Sequence, residues 1–154
     1  MSKVPGIYGF FDEFRWLSNF DLVTILFEDA WYPATENAYQ AAKCMFLEDR
    51  ELFQTCSPKE AKRVGGNIVC RENWNGIRDG VMLEVNLWKY SPVHHPDKAK
   101  NLVNTGDLYL EETNYWHDNY WGNCTCGKRS TCTPPGKNRL GKTIMEIRTA
   151  LQTS

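Results

Sequence analysis

Apolar positions recur at helical spacing in two long stretches of the chain. Ile77, Val81, Val85 and Trp88 form one stripe within residues 74–90, and Leu140, Ile144, Ile147 and Leu151 form another within 140–151. Each stretch predicts a helix with one buried face. Residues 35–46 predict a further helix, entered through Pro33 and capped by Thr35. Its pattern differs: Ala38, Ala41, Ala42, Cys44, Met45 and Phe46 leave little polar surface, so burial on most sides is expected. Ser57-Pro58-Lys59-Glu60 reads as a helix start, with Ser57 as cap, Pro58 in the first turn and Glu60 closing a capping box. Gly65-Gly66 stops that helix, and a short one follows Pro96.

Residues 7–11 and 22–27 are β-branched and aromatic and end in turn formers, which predicts two short strands; 108–112 reads as a strand or extended edge. Between the first two, 14–20 is too aromatic for a solvated loop and too irregular for a strand, so it is expected to line something. From Asn114 to Gly136 the chain turns to Asn, Trp, Cys, Gly, Thr and Pro with almost no aliphatic residues. A loop of that length is usually functional or stapled by a metal. No repeat or linker divides the sequence. The expectation is an α+β fold, mainly helical with a few short strands, in one domain over residues 1–154.

Composition narrows the function. A chain of 154 residues with 42% hydrophobic positions can build one packed core. Lys plus Arg is 18 against 19 for Asp plus Glu, a net charge of −1, which excludes a polybasic nucleic-acid binder. Six Trp, seven Tyr and seven Phe exceed what such a core needs, and aromatic faces are used to stack on bases or sugars. Pro5, Gly6 and Gly9 interrupt the N-terminal apolar residues, and no window approaches the ~20 apolar residues of a membrane span. A cytoplasmic protein with no membrane partner is expected. In that compartment the six Cys are thiols or metal ligands rather than disulfides.

Four motifs carry chemistry. Gly136 to Thr143 matches the letters of a phosphate-binding P-loop, but Ser130-Thr131-Cys132-Thr133-Pro134-Pro135 before it cannot form the buried strand a P-loop leaves. A weaker use, a phosphate on the free amides of a helix start, stays open. Cys124, Cys126 and Cys132, with His117 as a fourth ligand, offer a structural Zn²⁺ site; the alternative is three free thiols in a polar loop. Glu36, Tyr39, Gln40 and Lys43 share one helix face, with Glu36 and Lys43 about 10 Å apart along the axis at 1.5 Å per residue. That face could close on a small molecule, or simply be solvated. Trp74, and the run Trp116-His117-Asp118-Asn119-Tyr120-Trp121-Gly122, combine aromatic plates with a carboxylate and amides, as a binding wall would.

Read together, these segments resemble the NADAR domain family, which includes an N-glycosidase acting on riboflavin-biosynthesis intermediates. The resemblance rests on Gly9-Phe10-Phe11 with Phe14 to Phe20, Tyr32-Pro33-x-x-Glu36-x-x-Tyr39-Gln40-Ala41-x-Lys43, and Ser57-Pro58-x-x-Ala61-Lys62-x-x-Gly65. It continues through Arg71-x-x-Trp74, Val81-Met82, Thr105-Gly106, the segment from Leu110 to Gly122, and Asn138-x-Leu140-Gly141-x-x-x-Met145-x-x-Arg148. The motifs run in order over residues 7 to 151. Three positions depart from the family pattern: Asn37 stands where many members have His, Gly66 where they often have Arg, and His117 where Gly separates Trp from Asp.

The resemblance implies cleavage of a C–N bond between ribose and a base-like nitrogen. The substrate it favours is ADP-ribose on guanine in DNA or nucleotides; the alternatives are phosphoribosylamino-pyrimidine intermediates of riboflavin synthesis, a non-catalytic ADP-ribose or nucleotide reader, or a scaffold. Glu36 is expected to move protons and stabilise charge, Lys43 to attack the anomeric carbon as a Schiff-base amine, and Asp118 to hold sugar hydroxyls or orient the lysine. Asn19, Phe20, Tyr39, Gln40, Lys62, Trp74, Trp116, Trp121, Gly122 and Asn138 are expected to bind substrate. Phosphate anchoring falls to Lys62, Arg63 or the Gly136 to Lys142 turn, and the basic groups Lys128-Arg129 and Lys137-Arg139-Lys142 suit one nearby strand. The reaction requires no cofactor, and a monomer acting on a ribose-bearing small molecule, nucleotide or ADP-ribosylated DNA is expected.

Overall fold

The computed structural model describes residues 3–128, 132 and 135–154. The fold is α+β, mainly helical, with six short strands among the described residues: β1 (Gly6–Tyr8), β2 (Ile25–Phe27), β3 (Ala30–Tyr32), β4 (Tyr109–Glu111), β5 (Thr113–Asn114) and β6 (Asn123–Cys124). The helices are α1 (Thr35–Ala42), α2 (Pro58–Gly65), α3 (Trp74–Lys89), α4 (Pro96–Asn104) and α5 (Arg139–Gln152). Among the described residues there are also two longer 3₁₀ segments, Asp12–Leu17 and Leu47–Gln54. No helix among the described residues is long and apolar enough to cross a membrane. Contacts divide the chain into two compact units, Asn19–Pro96 and the combination of Met1–Ser18 with Asp97–Ser154.

In the Asn19–Pro96 unit, α1 is the centre. Every residue from Thr35 to Ala42 is buried, as its small side chains require, and α1 packs against α2, α3 and the second 3₁₀ segment. It ends four residues earlier than expected. Beyond Lys43 the chain leaves the helix, and Cys44 forms an isolated antiparallel bridge with Cys70. Asn37 is fully buried and donates to the Phe53 and Cys56 carbonyls at 2.9 and 2.8 Å, tying α1 to the chain before α2. Strands β2 and β3 form a hairpin across Glu28-Asp29, both at positive φ (46° and 66°), the geometry that matches the twist of paired strands. Helix α2 begins as expected, with the Glu60 amide donating to Ser57 Oγ at 3.1 Å. The reciprocal half of the capping box is replaced, because the Glu60 carboxylate pairs with Arg63.

In the other unit, β1 pairs in parallel with β4, Ile7 opposite Leu110, joining residues about a hundred positions apart. Helix α5 packs on β4 and buries Leu140, Ile144 and Ile147, three of the four predicted stripe positions; Leu151 is only half-buried. The close approach has a cause in sequence: a Cβ at Gly141 would lie 2.1 Å from the Leu110 carbonyl oxygen. The long segment after Asn114 is held by the short parallel pair β5–β6. Of the residues singled out in this stretch, Arg129, Ser130, Thr131, Thr133 and Pro134 lie outside the described residues.

Candidate active site

The start of α1 is organised by a residue outside the helix. Thr35 does not cap it. Ala34 occupies the cap position in extended geometry, and the Thr35 hydroxyl donates to Asn19 Oδ1 at 2.9 Å, with the Asn19 carbonyl oxygen 3.2 Å away. The Glu36 amide donates to that same carbonyl at 3.1 Å, so the Asn19 backbone takes up an amide of the first helical turn. Asn19 is itself buried, and its amide nitrogen lies 3.4 Å from Met82 Sδ on α3. Asn19 is thereby locked to the turn that carries Glu36.

Glu36 is buried, with 7% of its surface exposed. One turn on, Gln40 donates to Glu36 Oε1 at 2.7 Å and fixes the carboxylate's orientation. Lys43 closes the helix in an αR cap position. Its backbone carbonyl accepts from the Arg71 amide at 2.9 Å, and its ammonium reaches the Gly65 carbonyl at 3.5 Å and lies 5.5 Å from the Tyr39 ring centroid. Burial pushes the Lys43 amine below the ordinary lysine value; the charges of Glu36, Cys70 and Cys44 oppose that shift and Lys62 adds to it. Glu36 and Lys43 therefore sense each other's charge, in surroundings that favour a neutral amine.

The remaining candidates of this unit gather around that pair. The Tyr39 and Trp74 rings meet at 5.2 Å, tilted by 57°, with both residues buried. Lys62 is exposed on α2 with its ammonium 5.8 Å from the Phe20 centroid, whereas Arg63 is paired with Glu60. Gly65 belongs to the site by contact and was not among the expected binding residues. Its carbonyl accepts from Lys43, and a Cβ there would lie 1.9 Å from Gln40 Oε1. The glycine pair at the end of α2 was the available signal, but it reads as a helix stop. Gly65→Ala is expected to cost about 1–3 kcal/mol by displacing the buried Gln40, visible as a lower denaturant midpoint. An unchanged midpoint would show that Gln40 yields freely.

The other candidates lie in the second unit, on the turn from Asn114 to Gly122 and at the start of α5. Asp118 Oδ1 accepts from the Tyr120 and Trp121 amides at 3.1 and 2.9 Å, while Asn114 bonds both the amide and the carbonyl of Asp118. Trp116 is exposed and packs edge-on against Tyr115, and Trp121 does so against Tyr120. Gly122 is buried because a Cβ would lie 2.1 Å from the Glu112 carbonyl oxygen. Asn138 is 1% exposed at φ 49°; it accepts from the Glu112 amide at 3.0 Å and donates to the Leu110 carbonyl at 2.9 Å and Tyr109 Oη at 3.1 Å.

One expectation is corrected here. The amides of Lys137, Asn138, Arg139 and Leu140 donate to the carbonyls of Asn119, Gly122, Tyr120 and Trp121 at 2.9–3.0 Å. The donors that would cradle a phosphate are consumed within the protein, so this helix start is a structural joint. Its exposed cations, Lys137, Arg139 and Lys142, remain at the surface.

In the same unit the expected metal ligands converge. His117 Nδ1 lies 3.8 Å from Cys124 Sγ and 3.4 Å from each of Cys126 Sγ and Cys132 Sγ. The four ligand atoms all lie within 4.8 Å of one another. The three other cysteines, Cys44, Cys56 and Cys70, are free thiols apart from this group.

Known proteins are similar to this chain over most of its length. N-glycosidase YbiA of Shigella boydii is 32% identical over 153 residues, covering 96% of this chain and 88% of that protein. N-glycosidase Npun_R5314 of Nostoc punctiforme is 32% identical over 152 residues, covering 95% and 87%. N-glycosidase R617 of Acanthamoeba polyphaga mimivirus is 30% identical over 131 residues, covering 79% and 75%. In three dimensions the chain is similar to the NMR structure of the Escherichia coli protein YbiA, with a TM-score of 0.79, 29% identity, and coverage of 97% of this chain and 85% of that one. The NADAR domain profile matches residues 7–152, from the first strand through the last helix. The chain belongs to the NADAR domain family.

Proposed function

We propose that this chain is an N-glycosidase that hydrolyses the bond between C1 of a ribose and a base nitrogen, with ADP-ribose carried on guanine as its substrate. The observation that carries the reading is Lys43, an amine lowered by burial on the same helix as the buried, hydrogen-bonded Glu36. An amine whose pKa is lowered gives up its proton more readily than an ordinary exposed lysine, and the unprotonated amine is the nucleophile. That the relatives are named N-glycosidases supports a hydrolase of N-glycosyl bonds.

The residues define a sequence of steps. Opening of the sugar ring breaks the bond between C1 and the ring oxygen, which takes up a proton, and leaves a C1=N iminium to the base. The Lys43 lone pair forms the Nζ–C1 bond as the C1=N π pair returns to the base nitrogen, and Nζ passes a proton to Glu36. The bond from C1 to the base nitrogen then breaks, its electrons and one proton leaving with the base. Water adds to the Lys43 Schiff base, the C1–Nζ bond breaks, and free sugar and amine are regenerated with one water consumed. Glu36 relays the protons, held in place by Gln40. Tyr39 and Trp74 wall the nucleophile from solvent, Lys62 with Phe20 and Asn19 contributes to binding, and Asp118 positions the loop bearing Trp116, Trp121 and Gly122 through the two amides it accepts.

The guanine-linked substrate is the one the family resemblance favours. In the other unit Lys128, Lys137, Arg139 and Lys142 are exposed, as cations that meet the phosphates of a DNA strand would be. The decisive measurement incubates the protein with an ADP-ribosylated guanine oligonucleotide and, in parallel, with a phosphoribosylamino-pyrimidine. Release of free ADP-ribose with unmodified guanine is expected. Turnover of the pyrimidine alone would reassign the substrate, and tight ADP-ribose binding with no turnover of either would make the protein a reader.

A further inference from the structure

We propose that His117, Cys124, Cys126 and Cys132 hold one structural zinc ion that clips the turn bearing His117 to the strand bearing Cys124. The ligand types suit Zn²⁺: three soft sulfurs and one imidazole nitrogen, a Cys₃His set. The spacing from the imidazole nitrogen to each sulfur is close to that of a coordination shell, and all four ligand atoms lie within 4.8 Å of one another. With Zn–S near 2.3 Å and Zn–N near 2.05 Å, a tetrahedron places nitrogen and sulfur about 3.6 Å apart. The three measured separations, 3.4, 3.4 and 3.8 Å, bracket that value.

Three further features support an ion rather than a chance cluster. Backbone amides point at the sulfurs, Cys126 N to Cys124 Sγ and Lys128 N to Cys126 Sγ, both at 3.4 Å, as an outer layer of donors around a metal site would. Cys124 and Cys132 are fully or nearly buried (0% and 2% exposed), where thiolates need a cation. His117 sits at φ 73°, a left-handed conformation that costs a β-carbon-bearing residue about 1–2 kcal/mol, and it is this backbone that delivers Nδ1 to the three sulfurs. Disulfide pairing would leave one of the three thiols over.

With four protein ligands the shell is closed, so the ion has no open position for substrate or water and acts on structure alone. It would bring His117, Cys124, Cys126 and Cys132 together in a stretch with few aliphatic residues. The Asn119 side chain accepts from the Cys124 amide at 2.8 Å, and the carbonyls of residues 119–122 receive the amides that start α5, so the clip and the helix start are joined. The inference is independent of the glycosidase reading.

The test is metal analysis of the full-length protein purified without chelator from zinc-supplemented medium. About one zinc per chain is expected, falling at least tenfold in Cys126→Ser and in His117→Ala and unchanged in Cys70→Ser. Exchange for Co²⁺ in the wild-type chain should give the intense visible bands of a tetrahedral thiolate site, a readout that stands even if the cysteine variants fold poorly. Absence of zinc together with no cobalt spectrum, a disulfide among the three cysteines, or stoichiometric iron in place of zinc would each overturn the proposal.

Discussion

Lys43→Ala is expected to lower kcat/KM by about 10³-fold or more while leaving the thermal midpoint nearly unmoved. Removing the amine deletes the covalent step, and the side chain's one hydrogen bond, at 3.5 Å to the Gly65 carbonyl, is too long to hold the fold. Borohydride added during turnover should reduce the Schiff base and leave the sugar fragment's mass on the peptide containing Lys43. The pH profile supplies an independent sign. Burial lowers the folded-state pKa of Lys43, so activity should rise with pH through a value below that of free lysine as the amine loses its proton. Linkage runs the same way: between the lowered folded pKa and the unfolded value of 10.5 the unfolded chain holds the extra proton, so stability rises with pH across that window. That contribution should vanish in Lys43→Ala. Glu36→Gln should match the activity loss within about tenfold, since proton relay and nucleophile act as one unit. Substantial activity in both variants, with no trapped adduct, would leave the mechanism without its two principal groups.

What the sequence revealed and concealed follows the range of the interactions. The stripes of α3 and α5, the small-residue burial of α1 and the Ser57 cap are written in residues a few positions apart, and all were legible. The segment Leu47–Gln54 escaped because only Arg50 and Phe53 of it are buried, which leaves no apolar stripe to read. Thr35 has the chemistry of a cap, but Asn19, sixteen residues away, supplies the carbonyl that receives the Glu36 amide. The bridge of Cys44 to Cys70, which ends α1 at Lys43, and the pairing of β1 with β4 depend on still longer separations. For the candidate site, the helix face of Glu36, Gln40 and Lys43 followed from spacing, whereas Gly65 depended on how α2 docks against α1. The His117 and cysteine set was readable as a list of ligands; only the fold shows that a fifteen-residue span brings them to one point.

Asn138 tests whether sequence resemblance or geometry assigns a residue better. Its position in a recognisable motif made it a binding candidate, yet its one oxygen and its amide nitrogen are engaged by Glu112, Leu110 and Tyr109 at a position 1% exposed. Asn138→Ala takes this partner from the buried Leu110 carbonyl, at about 1–3 kcal/mol, and from the half-buried Glu112 amide, at about 1 kcal/mol, and puts a methyl at φ 49° for about 1 kcal/mol more. A loss of about 3–5 kcal/mol is expected, a large share of the 5–15 kcal/mol that holds a typical domain. Asn138→Gly relieves the backbone but restores no bond, so it should recover only about 1 kcal/mol. Asn138→Asp keeps the acceptor for Glu112 but sets a carboxylate oxygen against the Leu110 carbonyl, and should do no better than alanine. At a temperature where the variants stay folded, KM should equal that of the wild-type chain, because the side chain holds β4 to α5 and reaches no substrate. A raised KM with an unmoved denaturation midpoint would reverse the assignment and return Asn138 to the binding wall.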